Sequence, residues 1–215
     1  HPYTLARGLY WTTILHQLRR EWQMVYERAE KAITVAAEQQ IALVLALGPI
    51  MRGWALAMQG QAAEGLTQLR QGMEAYRATG AELQRPHFLS LLADVHRVMG
   101  QPEAGLTALT EALALIEKTG ERYYEAELHR LKGGLLLQTG DAEAETCFHQ
   151  ALDVARRQQA KSWELRAATS LARLWQRQDK RQEAYDLLAP VYGWFTEGFD
   201  TADLKDAKGL LEELS

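Results

Sequence analysis

Apolar and polar positions follow a helical period along the chain, and the period is interrupted at near-regular intervals. Gly60, Gly100 and Gly140 lie forty residues apart, and each is followed by a polar residue: Gln61, Gln101 or Asp141. Seven positions before each glycine sits a small residue: Gly53, Ala93 or Gly133. Forty further on lies Lys180, in a polar turn over 178–181, and forty back lies Arg20, in the polar stretch 19–21. A second set of turns alternates with the first, Thr79-Gly80 and Thr119-Gly120, and Gln159-Ala160 takes the next slot. A fixed period of this length marks an internal repeat.

The segments after each turn align as well. Gly65, Leu69 and Gly72 correspond to Gly105, Leu109 and Ala112, to Ala144, Phe148 and Ala151, and to Ala184, Leu188 and Val191. At 3.6 residues per turn these positions share one helical face. Small residues there let a neighbouring helix approach, and the large one fills the space between. The pattern predicts five helix pairs, over 4–38, 40–78, 85–118, 122–159 and 162–195, and a capping helix over 201–214. All of it reads as one repeat domain, 1–215. Within the pairs the predicted helices are 4–18 and 22–38, 40–59 and 62–78, 85–99 and 102–118, 122–139 and 142–159, 162–177 and 182–195. Thr201 is the expected N-cap of the last helix, with Asp203 in its first turn. Pro86 and Pro102 fall at helix starts, where proline is tolerated. Pro49 falls inside a predicted helix and is expected to kink or split it.

Composition agrees with an all-α chain. Only five prolines occur in 215 residues, and Ala, Leu, Glu, Gln and Arg, all strong helix formers, dominate. Hydrophobic residues at 47% supply ample core. The net charge of −4 argues against direct nucleic-acid binding, which usually requires a basic surplus. No apolar run approaches the eighteen or so residues a membrane span requires. The single cysteine, Cys147, excludes an internal disulfide and a multi-cysteine zinc site, and fits a reducing, cytoplasmic setting. The chain opens on His1 rather than Met, so a fragment of a longer protein is expected.

Catalytic chemistry finds little support. Gly60 to Gly65 and Gly100 to Gly105 have the outline of half a phosphate loop, but Leu-Thr follows where Lys-Ser/Thr is needed. Glu125 with His129, and Glu145 with His149, share helical faces but lack a third ligand, so solvated pairs are expected and no metal. No nucleophile has a base placed beside it, and neither an enzyme activity nor a cofactor is expected. Six tryptophans are assigned to the core by default, with Trp54, beside Gly53, kept as a candidate binding residue.

The remaining candidate is a surface. In stacked helix pairs the first helices line an inner wall. Counting from the small residues places Tyr10, Ile14, Gln17, Leu47, Ile50, Trp54 and Ala57 on it in the first half. The second half contributes His87, Ser90, Asp94, Arg97, Glu127, Arg130, Arg166, Thr169 and Arg173. Of these, Trp54, His87, Asp94, Arg97, Arg130, Arg166 and Arg173 are the candidate ligand or peptide contacts. Four arginines suit carboxylate-bearing ligands, because guanidinium binds carboxylate bidentately. An ordinary solvated face remains the alternative.

The pattern of a small residue, seven positions, Gly-Asp/Gln, then Ala-x3-Phe/Leu-x2-Ala-Leu resembles tetratricopeptide repeats in a forty-residue form. Residues 131–152, with Gly133, Gly140, Ala144, Phe148 and Ala151, are the best-preserved copy. The stretches 100–137, 142–175 and 184–214 further resemble the C-terminal repeat region of large bacterial signalling proteins. In those, adenylate/guanylate cyclases or helix-turn-helix regulators are joined to an ATPase module. Cyclase and ATPase motifs are absent from this chain, so those activities are not carried over. The resemblance implies a right-handed α-solenoid of about five TPR-like pairs, non-catalytic and regulatory. It would bind a protein segment, or another domain of its own chain, and its terminal edges could pair two copies. A sensor of anionic metabolites on the arginine wall is the alternative.

Overall fold

The computed structural model describes residues 1–215. Eleven helices and no strand make up the chain. They are α1 (Pro2–Leu18), α2 (Trp22–Glu38), α3 (Ala42–Met58), α4 (Ala62–Ala78), α5 (Arg85–Val98), α6 (Pro102–Thr119), α7 (Glu125–Thr139), α8 (Ala144–Arg157), α9 (Lys161–Arg177), α10 (Arg181–Tyr192) and α11 (Ala202–Leu214). None is long and apolar enough to cross a membrane. The helices fall into two units, His1–Ala108 and Leu109–Ser215, with the boundary inside α6.

The turns explain the forty-residue period. After α1 the chain passes through Arg20 at φ 62, and the amide of Glu21 donates to the carbonyl of His16 at 2.9 Å. This left-handed residue with a six-to-one bond is a Schellman cap, which satisfies carbonyls the helix end would otherwise leave open. The same device recurs at Gly60, Gly100 and Gly140, and again at Asp179 with φ 60. Between pairs the left-handed position falls on Gln40, Gly80, Gly120 and Gln159. Side chains brace two of the turns alike. His16 Nδ1 donates to Glu21 at 2.5 Å, and His96 Nδ1 to Gln101 at 2.8 Å.

In unit 1, α1 packs on α2, α2 on α3 and α3 on α4, while the first helices α1, α3 and α5 also touch in succession. The larger apolar cluster of this unit runs from Tyr10 through Ile50, Met51, Trp54 and Leu69 to Phe88 and Val95, and a smaller one gathers Ala6, Ala32, Ala36 and Val44. The tightest main-chain approach is between α3 and α4. A Cβ on Gly53 would lie 2.5 Å from the Gly65 carbonyl and 2.6 Å from the Leu69 amide, so only glycine permits this spacing. In unit 2, α7, α9 and α11 touch in succession, so α11 takes the place of a further first helix. Its core runs from Phe148 and Leu152 through Leu171 and Leu188 to Leu210.

Three local expectations change. α3 runs continuously through Pro49. Thr201 occupies the N-cap position of α11, but its hydroxyl donates to the Gly198 carbonyl at 2.7 Å rather than accepting from the helix. The tryptophans divide differently from expectation. Trp54 is core, whereas Trp11, Trp22 and Trp194 are exposed.

Candidate interaction surface

In unit 1 the first helices bring Gln17, Trp54, His87, Asp94 and Arg97 into two hydrogen-bonded groups. Trp54, on α3, is 3% exposed, and its indole N–H donates to Asp94 Oδ2 on α5 at 3.0 Å. Arg97, one turn beyond Asp94, donates through Nε to the other carboxylate oxygen at 2.9 Å, and its Nη2 lies 2.8 Å from the same atom. Asp94 therefore ties the two helices together while sharing its charge with a guanidinium. His87 is fully buried, with Nε2 3.2 Å from the side-chain oxygen of Gln17 on α1. Burial depresses its pKa to about 3, because a charged imidazole would lose its hydration there. Placing Trp54 and His87 on a ligand-facing wall is thus corrected. Both are structural side chains inside the unit, as are Tyr10, Ile14, Leu47, Ile50 and Ser90. Asp94 and Arg97 remain partly accessible.

Unit 2 carries the denser charge network. Arg130 grips Glu127, three residues earlier on α7, with Nε 2.7 Å and Nη2 2.8 Å from its two oxygens. Arg166 on α9 reaches the same carboxylate at 3.5 Å and Asp203 on α11 at 2.7 Å. Its guanidinium also lies 4.9 Å from the Trp163 ring centroid, a cation–π distance. The side chains of Arg166 and Glu127 are only 9% and 7% exposed, so two cations and two anions are held together in a partly desolvated site. Glu164, on the same helix, is taken out of water, which alone would raise its pKa. Hydrogen bonds from Lys161 and Arg156 outweigh this and leave it lowered. Arg173 differs: it is exposed and forms no ion pair.

Glu125, Glu145 and Cys147 have structural roles. Glu125 is buried, not solvated, and pairs with Arg122 at 2.9 Å. Glu145 accepts from the Trp175 indole at 2.8 Å, which holds its pKa below the usual carboxylate range. Cys147 is buried, and burial raises its thiol pKa, the opposite of what a reactive thiolate needs.

No family model matches the chain. Two crystal structures of nearly identical TPR-like repeats, assigned to a kinesin light chain of Podosopora anserina, superimpose with TM-scores of 0.59 and 0.61. Each is 21% identical and covers 90% of this chain and 95% of its own. The fold is TPR-like. In sequence, an uncharacterised protein of Rhizobium meliloti (strain 1021) is 24% identical over 176 residues, 81% of this chain. The match occupies 17% of that protein, so the chain spans a small part of its relative's length.

Counting from the small residues places the arginines and two of their partners, Asp94 and Glu127, on one wall, but not the third partner, Asp203. Glu127 was visible on the same face, three residues before Arg130. In sequence Asp203 is a first-turn charge of the last helix, and its 37-residue distance from Arg166 is repeated by Gln176 and Glu213, which bond at 3.0 Å. That repeated spacing was the available signal.

Proposed function

We propose that this chain is a TPR-like interaction module of a larger bacterial signalling protein, located in the cytoplasm. It would bind a protein segment, or another domain of its own polypeptide, on the faces of its first helices. The observation that carries the reading is the TPR-like fold, a scaffold used mainly to hold protein partners and not to do chemistry. The short share of the Rhizobium meliloti relative that the chain matches supports a place within a longer protein. The accessible contacts of the proposal are Asp94 and Arg97 in unit 1, and Arg130 and Arg173 in unit 2.

The charge arrangement favours a peptide over a small anion. Arg97, Arg130 and Arg166 already share carboxylates with Asp94, Glu127 and Asp203. A free anion would have to compete with anchored carboxylates, whereas a peptide adds main-chain hydrogen bonds and apolar contact. Calorimetric titration of residues 1–215 with the separately produced remainder of the full-length protein tests this. Saturable binding, weakened at least tenfold by Arg130→Ala with Arg173→Ala, is expected. No association would overturn the reading. A thermal-shift series of anionic metabolites should show no stabilisation, and a clear rise in Tm with one of them would favour the metabolite sensor.

A further inference from the structure

The forty-residue register can be read face by face within unit 1. The buried set of α1, Ala6, Tyr10, Thr13, Ile14 and Gln17, maps forty residues on to Ala46, Ile50, Gly53, Trp54 and Ala57 of α3, all buried. The two helices therefore use the same face toward their own pairs. α3 buries a second face as well, through Gly48, Met51 and Ala55, and that face meets the preceding second helix. A Cβ on Gly48 would clash with Ile33 of α2, and Arg52 pairs with Glu30 of α2. α5 repeats the arrangement eighty residues on. Phe88, Leu91 and Val95 are buried, and Phe88 meets Tyr76 of α4 at 5.1 Å between ring centroids.

In α1 the corresponding positions are Gly8, Trp11 and Leu15, with Leu5 one turn earlier. They are apolar, and they are open. Leu5 is 56% exposed, Trp11 49% and Leu15 54%, and nothing lies within 4 Å of a Cβ placed on Gly8. Residues 8–15 carry no charge. A helix apolar on opposite faces is the signature of one buried on both sides, and exposed apolar patches of this kind mark contact surfaces.

We infer that this outer face of α1 is the seat of one further helix, the second helix of a TPR-like pair that precedes residue 1 in the full-length chain. Gly8 is the point of closest approach, as Gly48 is for Ile33, and Trp11 and Leu15 flank it as Met51 and Ala55 flank Gly48. The occupant is part of the same polypeptide. The face repeats the register of internal seams in this chain, and the Rhizobium meliloti relative extends far beyond the matched region. The inference does not depend on what the accessible arginines bind.

Amide hydrogen exchange of α1, in residues 1–215 and in the product of the whole reading frame, tests it at two protein concentrations. In the long chain, α1 amides should exchange at least tenfold more slowly, independently of concentration. Trp11→Glu should return them to the rate of the short chain, with α3 exchange unchanged in both as the control for folding. Equal α1 exchange in the two chains would overturn the inference, as would a reading frame with no helical pair before residue 1. Protection that grows with concentration in residues 1–215 would assign the face to a second copy and likewise overturn it.

Discussion

Adjacent glycines in α7 offer a sharp test of the packing, because substitution with alanine should move stability in opposite directions. Both Gly133 and Gly134 lie inside the helix, where replacing glycine with alanine gains about 1 kcal/mol in backbone propensity. Gly134 has nothing within 4 Å of where an alanine methyl would sit, so Gly134→Ala should keep that gain. At Gly133 the methyl would lie 2.7 Å and 2.8 Å from two ring carbons of Phe148 and 3.0 Å from the Ala144 carbonyl. Phe148 is buried and the Ala144 carbonyl is main chain of α8, so neither yields easily. Overpacking of this kind costs roughly 1–3 kcal/mol, and contacts this short belong at about 2–3 kcal/mol. Gly133→Ala should therefore lose about 1–2 kcal/mol net, leaving the two variants roughly 2–3 kcal/mol apart. At about 2–4 °C per kcal/mol for a chain of this size, their midpoints should differ by roughly 5–10 °C. Thermal melts followed by far-ultraviolet circular dichroism would read this. If the two variants shift in the same direction by the same amount, the close approach of α7 and α8 is wrong.

Four further outcomes follow from particular contacts. His87 binds no proton in the folded chain until about pH 3, while the unfolded chain protonates it below about pH 6.5. Its contribution is thus complete above pH 6.5 and is lost as pH falls toward 3, by about 2 kcal/mol at pH 5. Urea titrations at pH 7 and pH 5 should show a smaller loss in His87→Gln. Arg166→Met takes a guanidinium from Asp203 and from one oxygen of Glu127, and should cost about 2–4 kcal/mol in denaturant unfolding. Gln159→Gly and Asp179→Gly relieve left-handed backbone, and each should stabilise by about 1 kcal/mol in the same assay. Trp54→Phe removes the hydrogen bond to Asp94 and should cost about 1 kcal/mol, and a larger effect of Asp94→Asn would mark the carboxylate as the hub.

The repeat was legible because glycine is the cheapest residue at a left-handed cap, so Gly60, Gly100 and Gly140 print the period into the sequence. Where Arg20, Gln40, Gln159 and Asp179 adopt the same backbone, the cap persists but its letter is lost, so the first and fifth pairs carry no turn glycine. Helix identity followed from the period, whereas side-chain direction did not. Trp54 stands next to Gly53 in the sequence, but Gly53 faces α4 while Trp54 is buried in the core of unit 1 and bonded to Asp94 of α5. The reverse holds for Trp11, which sits at the position of buried Met51 and Leu91 but on a helix with no neighbour on that side. The arginines were legible as charges, but their pairing was not, since Asp203 reaches Arg166 only once α11 packs on α9.

Amide exchange mapped over the whole chain, with and without the remainder of the full-length protein added in trans, tests the proposed role most directly. The account predicts slowed exchange on the first helices α5, α7 and α9 around Arg97, Arg130 and Arg173, with that protection lost in Arg130→Ala with Arg173→Ala. Unchanged exchange, or protection confined to the second helices α4, α8 and α10, would contradict it.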